Sequence, residues 1–317
     1  MQDNPAMHLV IDHAAPHGGQ CQSALATLKL PALWALLKRL APSQQRNGTP
    51  QDLTPLSEHV LAQALGIDGA DGLIPWAAAD AKRLGLQPAS GTSGWAWVTP
   101  CHWKVNADHV EMLDPADLAL TDAETATLME AMRGYFAEDG ITLHPFSAGT
   151  WLAHGAVFKG LATASLERAR GARIDTWMPR QPQAKTLRRL QNEMQMLLYT
   201  HPINDARAAQ RQTTVNSFWV SGTGDLPANY PGAAEPETPT VDASLRTAAL
   251  RDDAAAWLEA WRHLDHTTLA NADAGSLTLT LCGEHQATTF APPKGSWLAR
   301  LRQRFHAPTP VQLLSTL

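Results

Sequence analysis

Little in this sequence points outside a folded, water-facing protein. Only three cysteines occur, Cys21, Cys101 and Cys282, far apart and without a CxxC pair. An odd, scattered set of thiols argues against a disulfide scaffold or a structural zinc site. No run of about 18 apolar residues is present. No basic stretch followed by an apolar one opens the chain, so the expectation is a soluble, cytoplasmic protein without a membrane partner. Positive charge is not in excess either. The formal net charge is −5, which disfavours a nucleic-acid partner, because such a surface needs a basic face. Charged residues make up only 17% and hydrophobic residues 44% of 317 residues, enough for one large or two modest cores. Tyrosine is scarce at three, against eleven tryptophans. Trp carries large buried area with one donor, so several should line interior seams or pockets.

Residues His8–Asp12 (HLVID) form an apolar run ending at an acid and predict a buried strand. Asp12, His13 and His17 crowd its end, where Asp and His can hold a metal or stand as solvated polar groups. A helix is expected over Pro31–Leu40, with Leu33, Leu36, Leu37 and Leu40 on one face. Residues 44–52 read as a polar, mobile segment. Thr54-Pro55 starts a second helix stopped by Gly66, and Pro75 a third ending near Gly85.

Strands are expected at Trp95–Thr99 and His109–Leu113, around a polar turn at residues 106–108. His102 and Trp103, between them, suit either ligand stacking or a structural pair. Thr121 and Glu124 make a capping box ahead of Leu128, Met132 and Phe136. Further strands are expected at Ile141–Pro145 and Trp151–Val157. Ala184–Tyr199 is a strongly amphipathic helix that Pro202 must end.

The stretch His201–Gly224 then runs from a polar loop through the apolar Val215–Val220 to Ser-Gly-Thr-Gly. In α/β proteins such a succession presents ligand-binding groups at a strand end. The candidate ligand-binding residues are His201, Asn204, Arg207, Asn216, Gly222 and Gly224, with the Arg207 fork suited to a phosphate or carboxylate. Structural roles remain open: Asn204 can cap a following short helix, and Asn216 can bond backbone. Residues 226–239 are a Pro-rich linker, residues 243–264 are helical, and Leu277–Leu281 alternates as a strand ending in Cys282-Gly-Glu-His285. Arg300, Arg302 and Arg304 within Trp297–Phe305 read as surface charge, and no internal repeat is found.

His201, Pro202, Asn204, Arg207, Asn216, the apolar strand and Gly222 with Gly224 together resemble a segment of the archaeal-type, cofactor-independent phosphoglycerate mutases. HLVID resembles that family's opening strand, with Asp12 at the place of its first metal-binding Asp. Leu190–Tyr199 and Val215–Trp219 resemble the proteobacterial regulatory proteins called RpfE. The resemblance implies the alkaline phosphatase superfamily and an α/β fold: a truncated sheet flanked by helices, with a smaller inserted α+β domain. Residues 1–90 and 240–317 would form the core, and 91–225 the insert with its connecting helix.

Active members of that family need two divalent metals, several Asp and His ligands and a Ser or Thr nucleophile. Here the ligand-rich stretch after the glycine turn is missing, and Ser23 is the nearest hydroxyl to the first strand. The expectation is therefore a non-catalytic protein with a ligand-binding or regulatory role and no cofactor. Its partner would be a small phosphorylated or carboxylate ligand, or a protein anchored on exposed Trp. The enzymatic alternative is a mutase or phosphatase with manganese or zinc. It would assemble Asp12, His13, Asp265, His266 and His285 into a reduced metal site, with Asp12, His13 and His285 as the candidate metal ligands.

Overall fold

The computed structural model describes residues 7–86, 93–230, 238–293 and 307–317. In chain order its strands are β1 (Met7–Ile11), β2 (Ala41–Asn47), β3 (Gly94–Cys101), β4 (Trp103–Val105), β5 (Val110–Met112) and β6 (Thr142–Ser147). Then come β7 (Thr150–Gly155), β8 (Ser217–Ser221), β9 (Thr240–Asp242), β10 (Leu277–Cys282) and β11 (Gln286–Ala291). The helices are α1 (Gly19–Ala24), α2 (Pro31–Leu37), α3 (Leu56–Ala64), α4 (Trp76–Arg83), α5 (Asp122–Glu138) and α6 (Leu166–Ala169). They continue with α7 (Ile174–Trp177), α8 (Ala184–Tyr199), α9 (Pro202–Ala209), α10 (Arg246–Leu250), α11 (Ala254–Leu264) and α12 (Pro310–Leu314). The class is mixed α/β. No helix among the described residues is long and apolar enough to cross a membrane.

The chain divides into two units. The first takes the described residues of Met1–Gln51, Leu56–Leu65 and Glu235–Leu317. Its sheet has the order β2-β11-β10-β1-β9, with β10 and β9 parallel to β1, β11 antiparallel to β10, and β2 antiparallel to β11. Period-two alternation sends Leu9, Ile11, Leu277, Leu279, Leu281 and Phe290 to one face, against Leu33, Leu37, Trp257 and Trp261 of α2 and α11. The opposite face carries Val10, Cys282 and Ala287 under Leu56 and Val60 of α3.

Residues 44–52 do not form the expected mobile segment throughout. Ala41–Asn47 is an edge strand paired with β11 from Ala291 to Gln286, and most of it is exposed. Backbone hydrogen bonds hold a strand whose side chains, Ser43 to Asn47, give no apolar alternation to read. The expected helix at 243–264 is interrupted: Asp252 takes φ +51° and Asp253 caps α11 by accepting from the Ala256 amide at 3.0 Å.

The second unit takes Asp52–Pro55 and Gly66–Ala234 in their described residues. Its antiparallel sheet has the order β6-β7-β3-β8. Leu128, Met132 and Phe136 of α5 and Leu187, Leu190 and Met194 of α8 cover one face, where Trp151, Phe218 and Val220 are buried. Ala77, Ala78 and Ala81 of α4 pack on Trp95 and Leu152 of the other face. β4 and β5 form a separate hairpin. Its first strand, at Trp103, was not foreseen. The capping box at Thr121 and Glu124 is present as expected. Helix α8 matches its expected span at both ends. Residues 297–305 and 231–237 of the linker lie outside the described residues.

Candidate functional site

Strand β1 delivers Asp12 to the carboxyl end of the first unit's sheet, the edge where α/β proteins place their ligands. The strand ends there because His13 turns to φ +52°, a left-handed conformation that is uncommon outside glycine. Asp12 is buried. One of its oxygens accepts from the His13 amide at 3.0 Å. The other lies 3.0 Å from His13 Nδ1, a charge contact off the line of a hydrogen bond. Burial alone would raise the Asp12 pKa. The His13 ring and its charge, the Ser57 hydroxyl and the His13 amide outweigh burial and hold it below the usual carboxylate value.

Ser57 is the residue that sequence reasoning missed. It sits buried in the first turn of α3, with its hydroxyl on Asp12. In the sequence, a Ser two residues after Pro55 reads as ordinary helix-start chemistry. Ser23, the hydroxyl nearest β1 in sequence, instead donates to the Gly19 carbonyl at 2.8 Å on the exposed side of α1. Cys282 ends β10 beside β1. Burial first, and then the negative charge of Asp12, raise its pKa well above that of an ordinary thiol, so it stays protonated.

The remaining acids and imidazoles expected near this point have other work. Asp265 is buried in a π-helical turn at Asp265–Leu269, and its two oxygens accept from the Ala32 and Leu33 amides at 3.1 and 2.8 Å. It thus serves the first turn of α2, which begins with Pro31 and has no cap of its own. His266 is exposed on the same turn. His285 is exposed at the β10–β11 turn, where its amide donates to the Leu317 carbonyl at 2.8 Å. Among the described residues of this unit, no third carboxylate, imidazole or thiol joins Asp12 and His13 within ligand distance. A pair of bridged divalent cations needs several anionic oxygens around a short metal–metal span. Within this unit, one carboxylate, one imidazole and a neutral thiol supply fewer anionic oxygens than that requirement.

In the second unit, the polar stretch after α8 is a helix rather than a loop. Pro202 occupies its first position and His201 caps it, Nδ1 accepting from the Ile203 amide at 3.2 Å. His201, not Asn204, is the cap. Asn204 faces inward and ties three segments together. Its Nδ2 donates to Leu198 O and Val215 O at 2.9 and 2.7 Å, and its Oδ1 accepts from the Val215 amide at 2.9 Å. Arg207 is 2% exposed. Its Nε donates to Thr213 O at 2.8 Å, Nη2 to Leu118 O at 2.6 Å and Nη1 to Glu124 Oε1 at 2.6 Å. Glu124 meanwhile gives its second oxygen to the Thr121 amide and hydroxyl, both at 2.9 Å. Burial would raise the Glu124 pKa, but the Thr121 amide and hydroxyl and the Arg207 guanidinium lower it.

Asn216 brackets Trp103, accepting from its amide at 2.7 Å and donating to its carbonyl at 2.9 Å. His102 Nδ1 lies 2.8 Å from the Thr214 carbonyl, so the His102–Trp103 pair belongs to this framework. The glycine turn is also a packing device. A Cβ at Gly222, φ +69°, would lie 2.9 Å from the Trp97 ring, and one at Gly224, φ +144°, 2.2 Å from the Leu73 carbonyl oxygen. The Gly222 carbonyl accepts from the Ala77 amide at 3.0 Å, in the first turn of α4. The structure therefore brings His201, Asn204 and Arg207 together around α9. It places Asn216 at the β4 junction, Gly222 against Trp97 of β3 and Trp76 of α4, and Gly224 against the backbone of Leu73 and Pro75.

No protein-family model matches the chain, and no curated protein matches it. Solved structures do. The structure of the PH0037 protein from Pyrococcus horikoshii is similar at 13% identity over 91% of this chain and 88% of that one, with a TM-score of 0.44. The cofactor-independent phosphoglycerate mutase from Thermoplasma acidophilum is similar at 13% identity over 90% of this chain and 88% of that one, with a TM-score of 0.36.

Proposed function

We propose that this chain is a non-catalytic, phosphoglycerate-mutase-like protein whose role is to bind rather than to transfer phosphate. The observation that carries the reading is the donor set at the end of β1. Asp12 is the single carboxylate of its unit there, the neighbouring Cys282 thiol is held neutral, and Asp265 has both oxygens committed to α2 amides. Nor is Ser57 activated. In nucleophilic catalysis the imidazole lies between hydroxyl and carboxylate. Here the carboxylate contacts both, and its lowered pKa makes it a weak base. On this reading Asn204, Arg207 and Asn216 are braces rather than ligand grips. The sequence likeness of Leu190–Tyr199 and Val215–Trp219 to the RpfE proteins suggests that the binding role is regulatory.

The test is direct. Protein purified without chelators and dialysed against manganese is analysed for metal by mass spectrometry and assayed for mutase and phosphatase turnover. Less than a tenth of an equivalent of metal and no turnover is the expected result. Two manganese per chain with turnover abolished in Ser57→Ala overturns the reading.

A further inference from the structure

The β6–β7 hairpin and the first two turns of α5 leave a cleft between them in the second unit. β6 is the edge strand of its sheet, and its pairing with β7 slips between Pro145 and Ser147. Phe146 is the extra residue of this bulge, and a bulge bends the strand that carries it. A cavity of about 230 Å³ lies there. An apolar protein cavity of about 150 Å³ takes up benzene, so this one admits an aromatic ring with a short arm.

The back of the cleft is pinned and its polar atoms are occupied. The Thr125 hydroxyl accepts from the Gly149 amide at 2.9 Å and donates to the Thr121 carbonyl at 2.8 Å. The Thr125 carbonyl accepts from Trp151 Nε1 at 3.1 Å. Met129 and Trp151 are buried there and, with Pro145 and Phe146, make the lining mainly apolar. A thioether beside aromatic side chains suits a further ring. The rim is polar: Ser147 brings an exposed hydroxyl, and Asp122, in the first turn of α5, an exposed carboxylate. Asp122 makes no ion pair among the described residues. No Lys, Arg or His among the described residues lines the cleft. A carboxylate at the rim of an apolar cleft attracts a cation with an apolar body and repels an anion. The α5 macrodipole, about half a positive charge at this end, opposes a cation, and the full charge of Asp122 outweighs it.

We propose that this cleft binds a small aromatic amine, the ring against Met129, Pro145, Phe146 and Trp151 and the ammonium toward Asp122 and Ser147. The lining residues all belong to the second unit, so the proposal goes beyond the reading of the β1 strand end and stands whether or not the first unit holds metal. The full chain is labelled with ¹³C-methyl methionine and titrated with phenethylamine, and with phenethyl alcohol and hydrocinnamate as its neutral and anionic matches. The Met129 resonance is identified by its loss in Met129→Leu. It is expected to shift and saturate with the amine, to respond more weakly to the alcohol and to stay in place with the carboxylate. An exposed ion pair contributes modestly, so Asp122→Asn should weaken amine binding about threefold to fivefold and erase its lead over the alcohol. Asp122→Glu keeps the charge and should keep that lead. No saturable shift, a carboxylate bound as tightly as the amine, unchanged amine affinity in Asp122→Asn, or loss of the lead in Asp122→Glu overturns the proposal.

Discussion

Two polar constellations, one in each unit, differ in where their hydrogen bonds end. Around Arg207 the side-chain bonds run mainly to backbone: Thr213 O, Leu118 O and, through Asn204, the backbone of Leu198 and Val215, with Glu124 as the one side-chain partner. On the α3 face of the first sheet the bonds run between side chains, His8 to Thr280 to Thr289 and Gln44 to Gln63. Both contain a side-chain amide and a His. Residue types alone therefore do not separate a backbone brace from a row of paired side chains. The distinction lies in the acceptors. A guanidinium that satisfies backbone carbonyls has its desolvation offset by the fold, and removing it strands buried acceptors.

Mutations can sharpen that contrast. Arg207→Ala should have the largest effect, a loss of about 3–4 kcal/mol in urea unfolding, because it leaves two carbonyls and Glu124 without their partner. Arg207→Lys should recover only part of this, since a point charge cannot serve three acceptors at fork geometry. A loss below about 1 kcal/mol in Arg207→Ala would make Arg207 a ligand grip after all. Asp265→Ala should cost less, about 2 kcal/mol, by uncapping the Ala32 and Leu33 amides of α2. If Asp265→Ala instead changes manganese affinity and leaves unfolding untouched, the strand-end acids are ligands and the non-catalytic reading fails.

The amphipathic α8, the capping box at Thr121, and strands β1, β3, β7 and β10 were legible because each follows from a short-range period or cap. What escaped had no local signature. Strand β2 is a polar edge held by backbone pairing to residues about 240 positions away. Helix α9 was hidden by its polar sequence, although Pro202 and the His201 cap are local signals that could have marked it. The pairing of Arg207 with Glu124 spans 83 positions, and Glu124 was visible only as a cap. For the same reason the stretch rich in Asn, Arg and His left both a ligand grip and a structural role open. Sequence shows which donors are present and not which carbonyls lie opposite them. Ser57 lay in plain view, but nothing along the chain joins it to Asp12.

The smallest expected effect tests the second unit from a different side. His144 and His154 project on one face of the β6–β7 pair, their rings 5.4 and 4.8 Å from the Trp95 ring centroid. The buried His154 Nε2 meets no acceptor among the described residues. Burial lowers the pKa of both rings. The positive charge of Arg133 adds to this at His144, and that of His144 at His154. Asp80 of α4, the acid on the helix packed over Trp95, is occupied by Trp97 Nε1 at 3.1 Å and Arg83 at 2.9 Å. The sign follows from linkage. The unfolded imidazoles take up protons near pH 6.5, before the folded ones do, so the unfolded state binds more protons just below that pH and stability falls as pH drops. His8 in the other unit contributes with the same sign. Urea midpoints measured between pH 7.5 and 5 should decline in the wild type and flatten in part in His144→Gln/His154→Gln, with His8 supplying the remaining slope. A double variant as steep as the wild type would mean that these imidazoles are as well solvated folded as unfolded. The Trp95 face would then be looser than its packing under α4 implies.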